Sequence, residues 1–274
     1  MYFLKCNKKL SELKDKIAYE YKFSFLKLYE EALIKPEHIK LIENEPVDVI
    51  IKYIDLTDTS LNRVGIKQIK KDEDHEELRY CVRSVLDNIP WIRKIFILMP
   101  NEKVKYFKPI EEISDKFVYV KDKDLLGFES ANIYAFHFFL FNMSQFGIAD
   151  NFILMDDDYF IGKPINKLHL FHYDEEQKKV LPNIISDEFI ELKKDSTFIE
   201  YYKLFKEADK IDPHICKGWR FHTLSVYKLL FENFNFPLIN GGFTHNAIPL
   251  NINDIKEIYE FIKSKYQYWN ATLI

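Results

Sequence analysis

Residues 151–164 read NFILMDDDYFIGKP. The apolar run from Phe152 to Met155 leads into three consecutive carboxylates, Asp156, Asp157 and Asp158. An aromatic pair, Tyr159 and Phe160, follows, and then Gly162 and Pro164 as chain breakers. Apolar run, acids, turn is the pattern of a buried strand that delivers acids to one rim of a sheet, and in open α/β sheets that rim is where ligands bind. Three adjacent acids repel one another, so burial calls for a cation or hydrogen-bond donors beside them. Hard oxygen ligands suit magnesium or manganese. An acidic triplet by itself is also the mark of a solvated turn. The apolar strand before it and the glycine after it set this one apart.

The neighbouring sequence extends the pattern. Residues 48–54, DVIIKYI, are a strand candidate dense in Val, Ile and Tyr. Asp55, Leu56, Thr57 and Asp58 follow, so a first strand also ends in acids and a hydroxyl, with an Asp/Thr turn or helix cap as the plain alternative. Residues 72–100 read DEDHEELRYCVRSVLDNIPWIRKIFILMP. Asp74 is placed to cap a helix starting near His75, with Glu76 and Glu77 in its first turn. Leu78, Val82 and Val85 make the apolar stripe. Arg79 and Arg83 sit four apart on another face. Two guanidiniums side by side suit a diphosphate as well as they suit the neighbouring glutamates. Pro90 and Trp91 end the helix, and residues 92–99 read as a strand.

Residues 117–120 are a short strand, and residues 128–146 read as a long aromatic helix. Glu129, Ser130 and Asn132 would stand at its N-terminal end, where backbone donors face outwards. His137, among apolar neighbours, reads as a core histidine. This alternation of helix and strand is an α/β rhythm. Residues 9–34 have the spacing of an amphipathic helix that Pro36 ends. Beyond Pro164, residues 165–195 alternate apolar and polar with a turn at Asp174, Glu175 and Glu176. Residues 197–209 and 222–232 look helical, separated by a loop holding His214, Lys217 and Arg220. Asn251 is placed to cap a last helix over 252–265. His245, just after the Gly241-Gly242 turn, is the strongest histidine candidate for chemistry.

The 274 residues can hold one large α/β domain or two small ones. A net charge of −4 argues against broad nucleic-acid binding. Cys6, Cys81 and Cys216 are scattered, without zinc spacing, and fit a reducing compartment. The start has no signal-peptide pattern, and no apolar run is long enough for a transmembrane helix. There is no GxGxxG, GxxxxGK or GxSxG motif. A contiguous acidic run fits metal better than the separated carboxylates of a glycosidase. Acids with a metal, arginines and a histidine are the parts of phosphoryl or nucleotide-sugar chemistry.

Three blocks resemble the Stealth proteins, which are sugar-1-phosphate transferases. The first family region, like DVVYTWVDGSD, is here DVIIKYIDLTD, residues 48–58. The second, like DNEELRYSLRS and APWVRKIYIV, is here DHEELRYCVRS, residues 74–84, and IPWIRKIFIL, residues 89–98. It ends in LNDDMFFGKPV, here LMDDDYFIGKPI, residues 154–165. A His-x-Pro element of the third region is met more loosely by FTHNAIPLN, residues 243–251. Departures are Leu56 in place of a glycine, Tyr134 and its neighbours where a Glu and a His are usual, and Asp156 where Asn is usual. The family continues to an Arg after a Thr like Thr272 and then to a fourth region. Against that pattern the chain reads as a fragment or a shortened relative.

The resemblance implies a Rossmann-like α/β core related to nucleotide-diphospho-sugar transferases of the GT-A kind. It would have a helical arm over 1–45 and a mostly helical lobe over 166–274. The implied reaction moves a sugar-1-phosphate from a nucleotide-diphosphate sugar, with a UDP-sugar the expected donor, to a hydroxyl of a glycan acceptor. The implied setting is capsule or surface-polysaccharide synthesis, in the cytoplasm, with a peripheral place at the inner membrane face as the further expectation. Mg2+ or Mn2+ would be held by Asp157 and Asp158. His245, Asp55 and Arg79 would be catalytic, and Arg83, Ser130, Asn132 and Arg220 would bind substrate. A metal-dependent glycosyltransferase and an inactive sugar-nucleotide-binding subunit are the alternatives.

Overall fold

The computed structural model describes residues 34–66, 69, 75–102, 115–130, 136–137, 139–183, 190–191, 239–240 and 247–265. Its strands are β1 (Val47–Lys52), β2 (Ile95–Met99), β3 (Phe117–Lys121), β4 (Asn151–Asp156), β5 (Phe171–Asp174), β6 (Lys179–Pro182), β7 (Ile190–Glu191), β8 (Ile239–Asn240) and β9 (Ile248–Asn251). Its α-helices are α1 (Pro36–Asn44), α2 (Glu77–Asn88), α3 (Asp122–Leu126), α4 (Lys167–Leu170) and α5 (Ile252–Lys265).

Five strands make the central sheet, in the order β3-β2-β1-β4-β9. The first four are parallel, and β9 lies antiparallel on the edge against β4. Parallel strands covered on both faces are apolar along most of their length, which is why β2 and the middles of β1 and β4 read as apolar runs. Successive side chains point to opposite faces. Val49, Ile51, Ile95, Ile97, Ile153 and Met155 pack with Leu78, Cys81, Val82 and Val85 of α2. Ile50, Phe96, Leu98, Phe152 and Leu154 pack with Phe136, Leu140, Met143 and Ile252. Each large side chain buried in full contributes on the order of 1.5–3 kcal/mol. The core is therefore a mostly parallel sheet sandwiched between two layers, as the α/β reading expects.

The order decides where a ligand goes. The chain steps outwards from β1 to β2 to β3 and then returns to β4 on the other side of β1. The reversal falls between β1 and β4, whose register runs from Val47 opposite Asn151 to Lys52 opposite Asp156. Ligands of open α/β sheets lie outside the carboxyl ends of the strands at such a point.

The opposite end of β1 is pinned. Asp48 is fully buried. It accepts from Arg93 Nε at 3.0 Å and Nη2 at 2.6 Å, from the Lys94 amide at 2.9 Å and from the Ala149 amide at 2.6 Å. Arg93 Nη2 also donates to the Gly147 carbonyl at 2.7 Å. One carboxylate thus ties together the entries of β1, β2 and β4.

Several elements differ from the sequence expectations. The helix α2 starts at Glu77, after Glu76 in a left-handed turn at φ 59°; Asp74 lies outside the described residues. The strand β2 starts at Ile95 because residues 91–94 form a turn held by side chains. In that turn Trp91 Nε1 donates to the Ile165 carbonyl at 2.7 Å, and Arg93 is spent on Asp48. The long helix expected over 128–146 does not include residues 128–130; residues 136–137 and 139 are helical, and 131–135 and 138 lie outside the described residues. Gly127 at φ 80° closes the short α3, Glu129 and Ser130 are non-helical, and Leu140–Phe146 is a 3-10 helix. Side chains tie that helix to α3, with Asn142 Nδ2 on the Leu125 carbonyl at 2.9 Å. His137 carries exposed surface, while its ring packs against Phe136 and desolvation lowers its imidazole below the usual value.

In 166–274 the described residues are richer in strand than expected. β5 and β6 form a hairpin whose turn holds Glu175 and Glu176. β9 joins the central sheet, and α5 begins at Ile252. The amide of Asn253 donates to Asn251 Oδ1 at 3.0 Å, the expected cap. Residues 185–244 form a second compact unit inserted in the chain between β6 and β9, and its described part is β7 paired antiparallel with β8.

Candidate active site at the rim between β1 and β4

The strand β4 ends at Asp156, and Asp157 and Asp158 form the turn that follows, closed by the Tyr159 amide on the Asp156 carbonyl at 3.3 Å. This turn is stitched to α2. The Ile161 amide donates to Ser84 Oγ at 3.0 Å, Asn88 Nδ2 donates to the Ile161 carbonyl at 2.6 Å, and the Ile165 amide donates to the Asn88 carbonyl at 3.0 Å. Tyr80 of α2 meets Phe160 edge to face at 6.5 Å, with both rings about half exposed. The blocks at 74–84 and 154–165 are therefore one physical unit.

Burial pushes the Asp157 carboxyl up to about 7. Its own backbone hydrogen bond opposes that rise, while the Asp158, Asp156 and Glu77 carboxylates add to it. Such crowding is relieved by protonation or by a cation. Below it, Cys81 Sγ donates to the Asp156 carbonyl at 3.7 Å. Burial first, then the three aspartates, push that thiol up to about 12, so it is inert.

Asp55 lies on the same rim, three residues past the end of β1. It is built into an Asp/Thr turn, with Oδ1 accepting from the Thr57 amide at 2.9 Å and from Thr57 Oγ1 at 2.6 Å. The fully buried Asn101 braces it: Oδ1 accepts from the Asp55 amide at 2.9 Å, and Nδ2 donates to the Asp55 carbonyl at 3.2 Å and to Asp58 Oδ2 at 3.0 Å. Asp58 caps the next 3-10 helix through the Ser60 amide at 2.9 Å. Its carboxyl is held low, first by Asn101.

Arg79 and Arg83 are exposed on α2, as their spacing implied. Arg79 Nη1 donates to Glu76 Oε2 at 2.7 Å, so the neighbouring-glutamate reading holds for Arg79. Ser130 is partly buried in a loop, not on the first turn of a helix. Asn132, Arg220 and His245 lie outside the described residues.

Sequence reasoning missed four rim residues. Asn101 follows β2 and fixes the Asp55 turn. Glu77 was taken for a helix-terminus charge, yet it adds to the field on Asp157. Lys52, the last residue of β1, forms an ion pair with Asp122, the first residue of α3. A lysine closing an otherwise apolar strand was the available signal.

A divalent ion fits the donor set here. Magnesium is commonly held by one or two carboxylates with the rest of its shell from water and phosphate, and Asp157 and Asp158 supply two neighbouring carboxylates at the carboxyl end of β4. Among the described residues no group of three or more His, Cys, Asp and Glu side chains converges as a self-sufficient metal cage.

Residues 71–179 match the profile of Stealth protein CR2, conserved region 2. The chain is 27% identical over 245 residues to the capsular polysaccharide phosphotransferase cps12A of Actinobacillus pleuropneumoniae, covering 82% of this chain and 57% of that protein. It is 24% identical to a capsular polysaccharide phosphotransferase of Neisseria meningitidis serogroup B, over 82% of this chain and 58% of the relative. It is 28% identical to the capsular polysaccharide phosphotransferase fcs1 of Haemophilus influenzae, over 71% of this chain and 48% of the relative. The chain spans about half the length of these relatives. Its α2 helix, its acidic strand and the stitching between them are the part that matches the profile of Stealth conserved region 2, so the chain carries that region.

Proposed function

We propose that this chain serves a sugar-1-phosphate transfer from a nucleotide-diphosphate sugar to a glycan hydroxyl, with release of the nucleoside monophosphate, in capsule or surface-polysaccharide synthesis. The observation that carries the reading is the half-buried, raised carboxyl of Asp157 beside the exposed Asp158 at the reversal point of a parallel sheet. That is where a nucleotide lies in α/β folds, and a diphosphate brings its own demand for a cation. The capsular phosphotransferases it matches support phosphoryl transfer over other uses of the same rim.

In this reading Asp157 and Asp158 would hold Mg2+ or Mn2+, which supplies charge neutralisation on the diphosphate. Asp55, stiffened by Thr57 and Asn101, orients the nucleotide side of the rim. Arg79 and Arg83 offer exposed guanidiniums to phosphate oxygens. Ser130, Asn132 and Arg220 bind substrate. His245 takes the proton of the acceptor hydroxyl. The hydroxyl oxygen attacks the phosphorus that bears the sugar, a new P–O bond forms, the P–O–P bond breaks, and the nucleoside monophosphate leaves with the electron pair. A positioned base of this kind contributes about 10²–10⁴-fold.

The test is the nucleotide product. Purified protein is incubated with a panel of nucleotide sugars, a glycan acceptor and manganese, and the released nucleotide is identified by chromatography. A monophosphate is expected. A diphosphate would assign glycosyl transfer, and donor binding without turnover would assign a sugar-nucleotide-binding subunit.

A further inference from the structure

On the side of β1 away from the aspartate turn the rim carries a second charged pair, Lys52 and Asp122. Lys52 ends β1, directly opposite Asp156 in register. Its side chain is only 17% exposed, and that of Asp122 is 4% exposed. The two form an ion pair through Asp122 Oδ2. The ammonium also lies 4.8 Å from the centre of the Phe136 ring. An ammonium has three donors, and among the described residues Lys52 gives one to Asp122. Asp122 Oδ1 is buried without a hydrogen-bond partner among the described residues. Burial drives both groups towards neutrality: it lowers Lys52, which Asp122, Asp157 and Asp156 oppose, and it raises Asp122, which Lys52 opposes.

A pair buried this way is a poor device for stability. Two apolar side chains of similar volume would hold the site as well or better. Its position is where an anion would be met. A diphosphate entering between β1 and β4 has the aspartate turn on one side and the Lys52 ammonium on the other. Each of the two fits a different part of it: carboxylates for a shared cation, an ammonium for bare phosphate oxygens.

We propose that Lys52 is a phosphate-binding residue of this rim, donating to a diphosphate oxygen of a nucleotide sugar, and that Asp122 is the positioning residue that holds the ammonium at that place. The inference rests on the nucleotide-sugar reading above and names a contact that reading does not contain.

The double variant Lys52→Met with Asp122→Asn removes both charges together and leaves no unpaired buried ion. Binding of UDP, inorganic diphosphate and uridine is measured by calorimetry with magnesium present, alongside the unfolding midpoint. The double variant is expected to keep the wild-type midpoint, to bind UDP and diphosphate about tenfold or more weakly, and to bind uridine as the wild type does. Lys52→Arg is expected to restore most of the UDP affinity. A folded double variant that binds UDP and diphosphate like the wild type overturns the inference. A second measurement needs no variant. Lysine acetylation of the wild-type protein is mapped by mass spectrometry, and diphosphate is expected to protect Lys52 selectively; unchanged labelling of Lys52 at saturating diphosphate overturns the inference even if the double variant fails to fold. Wild-type protein that binds no nucleotide sugar and no UDP overturns the transferase reading itself, a result distinct from either of these.

Discussion

The two ends of β1 treat their charges in opposite ways. At the entry, Asp48 is fully buried and takes four hydrogen bonds, from Arg93, the Lys94 amide and the Ala149 amide. At the exit, among the described residues, Lys52 shares one bond with Asp122, Asp122 Oδ1 has no hydrogen-bond partner, and the nearby Asp157 is crowded by other carboxylates. A buried charge with its full set of partners is architecture. A buried charge with too few is costly, and it persists where a ligand supplies the remainder. Within one strand of six residues, the fold is secured at one end and chemistry is accommodated at the other.

The contrast is broken most directly at its catalytic end. Asp157→Asn is expected to lower kcat for nucleotide release by about 10²–10³-fold, the scale of losing one electrostatic contact to the reacting groups, with the unfolding midpoint at neutral pH unchanged or raised. Turnover within a few-fold of wild type would move the cation away from this turn. Next in size is Asp48→Ala, which leaves Arg93 and two amides without their acceptor. Urea unfolding should show a loss of about 3 kcal/mol, the lower end for breaking a buried pair because Arg93 is partly exposed.

A subtler effect separates the two ends by pH. The Asp157 carboxyl is raised from 3.8 to about 7 in the folded state. Across that window the native protein retains a proton that the unfolded chain has released, so stability falls as pH rises and levels off above about 7. Thermal unfolding in the absence of divalent ions should show this decline, and Asp157→Asn should flatten it. The smallest effect belongs to Arg79→Ala: its exposed pair with Glu76 is a surface contact, and the midpoint should not move measurably. Any change in donor KM in that variant is then a ligand effect.

How much of this was legible in the sequence follows from the same physics. β1, β2 and β4 were readable because strands buried on both faces are rich in apolar residues, and the acids following β1 and β4 stood out against that. The contiguous Asp156–Asp158 run gave the rim directly. The helix over 128–146 was legible only in part: residues 136–137 and 139 are helical and Leu140–Phe146 is 3-10, but the left-handed Gly127 and the loop through Ser130 delay its start. β9 went unseen because four residues, IPLN, carry too little period to identify a strand, and its partner β4 lies far back in the chain. Asn101 and Glu77 were invisible as site residues because their roles arise only when β2 and α2 are brought beside β1 and β4. Lys52 was legible as an exception, a charge at the end of an apolar strand, but its partner Asp122 was not.

The antiparallel edge has a consequence for how the molecule is made. β4 borders β1 on one side and β9 on the other, yet residues 157–247, including the inserted unit 185–244, must be synthesised before β9 exists. Throughout that interval the strand that carries the aspartates presents an open row of backbone donors and acceptors, the kind of edge that recruits other chains. When β9 arrives, it brings Pro249 opposite Ile153, a residue with no amide hydrogen to offer. β9 thus covers the vulnerable strand while itself being a poor template for another, and among the described residues it is the edge of the sheet.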